Sequence, residues 1–274
     1  QLKHCIQQIN IVTVSNLILA RNQNLDLIKW IAIISMTIDH ARYLMPEADH
    51  FNYACYIIGR LAYPLFLLLM AHYFYRTRHQ HNFLASDARY LKNLILFAII
   101  SEIPFQIYFQ ESCLNIFPTL ILNFVILYAY VRKPRHAWLY FLIPLILIFL
   151  LNQTAYAQIQ YGLIGCFSIL LIYLALIKPR SMGFAVSAAI AMNIYYMLEL
   201  KTDYSYALTQ LQSLSFYLWI SPVIMILALA LPVAYQLQKL PTVYAVPPIG
   251  KFAYVFYPLH ISLYCILRYW INAS

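Results

Sequence analysis

Apolar runs of 15 to 24 residues recur nine times along this chain, at 27–45, 53–74, 91–109, 115–131, 137–151, 160–177, 182–200, 212–235 and 251–271. A bilayer core of about 30 Å takes roughly 17–25 residues of helix to cross. The fifth run is short and the seventh is the least apolar, so eight to ten spans is the range the pattern allows. Of the 274 residues, 63% are hydrophobic and 10% charged, with a mean hydropathy of +0.69. Soluble domains average about 45–50% apolar and about 25% charged residues. The gap excludes an ordinary cytosolic enzyme and a disordered chain. Five glycines exclude glycine-rich low-complexity folds, and no internal repeat is visible. The expected fold is all-α, a polytopic membrane bundle of about nine transmembrane helices.

The formal net charge of +9 raises nucleic acid as a partner. Topology explains it better, because cytoplasmic loops collect Lys and Arg. In a nine-helix arrangement Lys3, Arg21, Lys29, Arg76, Arg78, Arg89, Lys92, Arg132, Lys133, Arg135, Lys178, Arg180, Lys239 and Lys251 all fall on one side. Arg42, Lys201 and Arg268 fall on the other. Fourteen against three predicts a cytoplasmic N-terminus, an outside C-terminus and no nucleic-acid partner. One missed helix would scramble this alternation, so the charges support an odd count.

The five cysteines are scattered without a CxxC pair, giving neither a zinc signature nor a disulfide framework. No cleavable signal peptide is expected. Residues 5–20 are too polar and short to span, and an interfacial helix fits them better. The expected organisation is an N-terminal segment, 1–24, followed by one membrane-embedded domain, 25–274. The longest loops, 75–90 and 236–250, both fall on the cytoplasmic side.

Ionisable side chains inside spans cost several kcal/mol and mark function by default. Here they are Asp39 and His40 in the first span, Arg60 and His72 in the second, Glu102 in the third and His260 in the last. A rise of about 1.5 Å per residue puts Asp39, His40, Arg60, Glu102 and His260 at overlapping depths, the first four in the outer half. Adjacent helical residues diverge by about 100°, so Asp39 faces Arg60 or His260 rather than its neighbour His40. His72 reads as interfacial. An Asp39–Arg60 or Glu102–Arg60 pair could serve only to hold helices together. Two carboxylates, an arginine and two histidines exceed what one bridge needs. Histidine is the side chain best suited to proton transfer near neutral pH. Acyl transfer and proton-coupled transport are the two chemistries this set fits, and no metal site is expected.

The segments WIAIISMTIDH (30–40), GRLAYPLF (59–66), RYLKNLILFAIISEIPFQ (89–106), LNIFPTLILN (114–123), YGLIG (161–165) and FYPLH (256–260) follow in this order. In combination they resemble the TraX family of membrane proteins, whose founding member acetylates the N-terminus of conjugative pilin. The resemblance spans about residues 25–270. It implies a multi-pass acetyltransferase of a bacterial inner membrane, with cytosolic acetyl-CoA as donor and a pilin N-terminus or cell-envelope molecule as acceptor.

Carried onto this sequence, the motif positions are Asp39, His40, Gly59, Arg60, Glu102, Asn115, Tyr257 and His260. The expected catalytic set is His40, Asp39, His260, Arg60 and Glu102, with His40 or His260 as general base on the acceptor. Asp39 would keep the imidazole basic or anchor Arg60. Arg60 would stabilise the thioester oxyanion or balance Asp39 and Glu102. Asn115 and Tyr257 would donate hydrogen bonds to thioester or acceptor. Arg76, Arg78, Arg132 and Arg135 are the candidate contacts to coenzyme A phosphates. A proton-coupled transporter using the same groups is the alternative, although it calls for inverted repeats that the Pro and Gly positions do not show. A subunit without chemistry is the third reading. Whether transfer is direct or passes through an acetyl-histidine stays open.

Overall fold

Asn22 starts the first helix by accepting hydrogen bonds from the backbone N–H groups of Asn24 and Leu25, as an N-cap asparagine does. In the computed structural model, which describes residues 21–44, 49–80, 83–154, 157–198, 213–241, 244–250 and 252–273, ten α-helices follow one another. They are α1 (Gln23–Ala41), α2 (Asp49–Gly59), α3 (Ala62–Thr77), α4 (Phe83–Phe109), α5 (Ile116–Arg132), α6 (Ala137–Asn152), α7 (Gly162–Ile177), α8 (Met182–Met197), α9 (Leu214–Leu237) and α10 (Phe252–Ala273). No β-strand occurs among the described residues, and Cys113 with Gln158 forms an isolated bridge. The interfacial helix expected at 5–20 lies outside the described residues.

Each apolar run coincides with one helix, except the second. That run, expected as one helix over 53–74, is two helices broken at Arg60 and Leu61. The local sequence explains the break. Pro64 has no N–H to return to the carbonyl of Arg60, and Gly59 weakens the turn before it. α4 begins at Phe83, well inside the expected loop 75–90. Buried Asp87 pins these extra turns, as its ion pair with Arg132 shows below.

Three helical segments are long and apolar enough to cross a membrane: His50–Thr77, Phe83–Phe109 and Leu214–Leu237. α5, α6 and α7 are apolar but shorter. The outer surface is apolar too. Ile99 and Ile103 on α4 are 68% and 70% exposed, and α6 turns most of its leucines and isoleucines outward. A continuous apolar exterior of this kind suits lipid rather than water.

The helices run up and down. At one end Asn24 donates to the carbonyls of Leu237 and Leu240, and Arg132 donates to Thr77. At the other, Tyr43 donates to Glu111, Arg268 to the carbonyl of Tyr108, and Tyr53 to the carbonyl of Trp219. Lys29, Arg76, Arg89 and Arg132 therefore share an end, as the charge count requires. A large apolar core joins α1, α3, α4, α5, α7 and α10, and a smaller one centred on Tyr56, Phe216 and Leu227 lies between α2 and α9.

Candidate active site

Gly59 governs how closely α1 and α2 approach. A Cβ built on it would stand 2.2 Å from Cβ of Asp39, far inside contact distance. Without one, Asp39 lies against the α2 backbone and meets Arg60 at the helix break, with Arg60 Nη2 to Asp39 Oδ2 at 2.6 Å. Arg42 Nε stands 3.4 Å from the other oxygen, Oδ1. Arg60 is 2% exposed, and its guanidinium lies over the rings of Tyr56 and Tyr196 at 4.3 and 5.1 Å. Its Nη1 has no hydrogen-bond partner among the described residues. A Gly59→Ala variant should consequently lose about 1–3 kcal/mol from overpacking. Loss of the Asp39–Arg60 pair should accompany it, read by thermal unfolding of the purified protein in detergent.

His40 and His260 meet directly, although 220 residues apart. Nδ1 of His40 lies 2.8 Å from Nε2 of His260, and the rings are parallel. The network assigns the protons. His260 Nδ1 is 2.9 Å from the carbonyl of Phe256, which can only accept, so that nitrogen carries hydrogen. In neutral His260, Nε2 is then an acceptor, and the proton between the rings belongs to His40 Nδ1. His40 Nε2 is left with a lone pair and no hydrogen-bond partner among the described residues. Tyr108 and Tyr264 hold this end of α1 by donating to the carbonyls of His40 and Thr37.

Two cavities meet beside this pair. A cleft of about 70 Å³ is lined by Asp39, His40, Arg60, Phe109, Glu111 and Tyr161, among others. A chamber of about 690 Å³ adjoins it, within the range of small-molecule sites. Met36, Phe66, Ile116 and Tyr257 border both and stand between them. The chamber reaches from there to Lys29, Arg76, Gln80, Ser86 and Arg89 at the basic end. Along α1, Lys29 and His40 are separated by roughly 16 Å of helix rise. No group of three or more His, Cys, Asp or Glu that could hold a metal occurs among the described residues.

Glu102 stands apart from the pair-forming charges. It accepts from Gln106, from the backbone N–H of Asn115 and from the Asn115 side chain, at 2.6, 3.1 and 2.6 Å. Asn115 is fully buried, and its side-chain oxygen caps α5 by accepting from Phe117 N–H. Neither residue lines the cleft or the chamber. This corrects the expectation that Glu102 balances Arg60 and that Asn115 faces a ligand: they join the end of α4 to the start of α5. Tyr257 does lie at the site, with its ring 6.0 Å from that of His40.

Of the four arginines expected at phosphates, Arg76 alone lines the chamber. Arg132 is corrected most sharply. It is buried against Asp87 at 2.8 Å, and both side chains are at most 3% exposed. Arg78 lies over the Tyr75 ring and donates to its carbonyl, and Arg135 is exposed beyond the chamber. Lys29 and Arg89, read from sequence as topology markers, line the chamber with Arg76. The signal was present: Ser86, Arg89, Tyr90, Asn93 and Leu94 recur at i, i+3, i+4, i+7 and i+8, and all face the chamber.

A helical bundle with helices able to cross a bilayer, holding an imidazole pair and an Asp–Arg pair where two cavities adjoin, is the class of protein described so far. The family model described as TraX protein matches residues 24–268, nearly the whole chain, and the chain belongs to the TraX family. No curated protein and no solved structure matches it.

Proposed function

We propose that this protein is an integral membrane acetyltransferase of a bacterial inner membrane, crossing it nine times with its basic end in the cytoplasm. Acetyl-CoA occupies the chamber as donor, and an amine or hydroxyl of a pilin N-terminus or envelope molecule is the acceptor. The observation that carries this reading is the pairing of the two cavities: a large chamber with Lys29, Arg76 and Arg89 at its basic end adjoins a small cleft lined by His40 and Arg60. Phosphates cannot enter lipid cheaply, so the coenzyme head stays at the basic end while its thioester arm reaches inward.

In the reaction the acceptor's nitrogen or oxygen attacks the thioester carbonyl and gives its proton to His40 Nε2. His260 accepts from Nδ1 and holds the ring in the reactive tautomer. Negative charge developing on the carbonyl oxygen falls to Arg60 Nη1, which Asp39 orients through Nη2. The carbon–sulfur bond then breaks, and the imidazolium returns the proton to the departing thiolate. The products are the acetylated acceptor and free coenzyme A.

The purified protein in detergent should bind acetyl-CoA saturably and release coenzyme A slowly. Arg76→Ala and Arg89→Ala should each weaken binding by about 10–100-fold, the cost of about 1.5–3 kcal/mol for a hydrogen bond to a charged group. The corresponding change at Arg135 should leave binding unaltered. Absence of binding by the unaltered protein would return the intramembrane charges to a proton-transport reading.

A further inference from the structure

Resting on the transferase reading, the two cavities differ about tenfold in volume, and the reacting bond would lie in the smaller. At about 70 Å³ the cleft holds only a few water-sized groups. Tyr257 borders both cavities, whereas His40 and Phe109 border the cleft alone. Tyr257 therefore stands on the chamber side of the cleft, and His40 and Phe109 stand on walls that only the cleft touches. Phe109 stands edge-on to His40, with ring centroids 4.9 Å apart.

Phe109 is tightly packed, against Phe105 and Tyr43 along the same cleft wall and against Tyr108 behind it. Phe105, Tyr108 and Tyr43 each lie 4.8 Å from the Phe109 ring, and Phe105 and Tyr108 are almost fully buried. Tyr43 is itself fixed, accepting from Arg42 at 2.8 Å and donating to Glu111 at 3.0 Å. A close-packed aromatic cluster of this kind does not yield to an added methylene without strain.

We propose that Phe109 is the specificity-determining residue for acyl length, closing the cleft one carbon beyond the thioester carbonyl so that acetyl is used and longer acyl groups are rejected. One methylene in a tight apolar pocket is worth roughly 10–200-fold in discrimination.

The test compares coenzyme A release from acetyl-, propionyl- and butyryl-CoA. The unaltered protein should favour acetyl over propionyl by at least about tenfold, at the lower end of that range. Phe109→Ala should reduce the acetyl-over-propionyl preference by about tenfold or more, read as the ratio of the two rates in the same preparation. Phe109→Leu, which keeps an apolar contact to Phe105 and Tyr43, should shift it the same way by less and serves if the alanine variant unfolds. Equal use of acetyl and propionyl by the unaltered protein, or an unchanged ratio in a folded variant, overturns the assignment. No turnover of any thioester by the unaltered protein overturns the transferase reading itself.

Discussion

A His40→Gln variant is expected to stay folded, to bind acetyl-CoA as before and to lose acetyl transfer by about 10²–10⁴-fold, the usual contribution of a positioned general base. Glutamine is the informative replacement because its amide N–H can still donate to His260 Nε2, preserving the 2.8 Å contact between the two helices. It has no lone pair that takes up a proton near neutral pH. His260→Gln provides the contrast. Its amide oxygen can accept from His40 Nδ1, so His40 keeps its tautomer and the loss should be nearer tenfold. His260→Phe removes the acceptor, and activity should fall further without a matching loss of stability. Coenzyme A release and thermal unfolding, measured on the same preparations, separate these outcomes. A His260→Gln loss as deep as that of His40→Gln would transfer the base to His260. Full activity in His40→Gln would remove the imidazole pair from the chemistry altogether.

The different legibility of the two halves of the site has a physical origin. Helix positions were open to sequence reasoning because lipid-scale apolar runs leave few alternatives, and the basic residues count the crossings independently. Asp39 and Arg60 were open to it as well, since a buried carboxylate and guanidinium seek each other. The His40–His260 contact was not. It depends on α1 and α10 standing side by side, and no period within either helix encodes that neighbour. Glu102 failed for a related reason: depth along a helix fixes height and says nothing of direction, and Glu102 turns to Asn115 and Gln106. At the basic end, charge counting could not distinguish a residue placed by topology from one placed by a ligand. Arg89 and Arg132 look alike in the sequence. The first lies on a polar stripe facing the chamber, whereas the second is sealed beside Asp87.

That contrast sets the largest stability effect. Replacing Arg132 by methionine should cost about 3–5 kcal/mol, the range for removing one partner of a buried ion pair. Arg132 donates to Asp87 Oδ2 and Oδ1 at 2.8 and 3.1 Å, and to the carbonyl and hydroxyl of Thr77, both at 2.8 Å. Tyr73 completes the network, donating to Asp87 at 2.7 Å. The pair therefore clasps α3, α4 and α5 at their basic ends, and Tyr73 and Thr77 are also walls of the chamber. Methionine approximates the volume of the arginine stem and leaves Asp87 as an uncompensated buried charge. The double variant Arg132→Met, Asp87→Leu removes both charges and should recover most of the lost stability, because the penalty comes from the orphaned carboxylate rather than from the missing attraction. Thermal unfolding of the two single variants and the double variant gives the coupling directly. Recovery in the double variant, with acetyl-CoA still bound, would establish Arg132 as part of the frame. Simple additivity, with donor binding lost while the fold survives, would restore Arg132 to the phosphate site and require the clasp to be opened when donor binds.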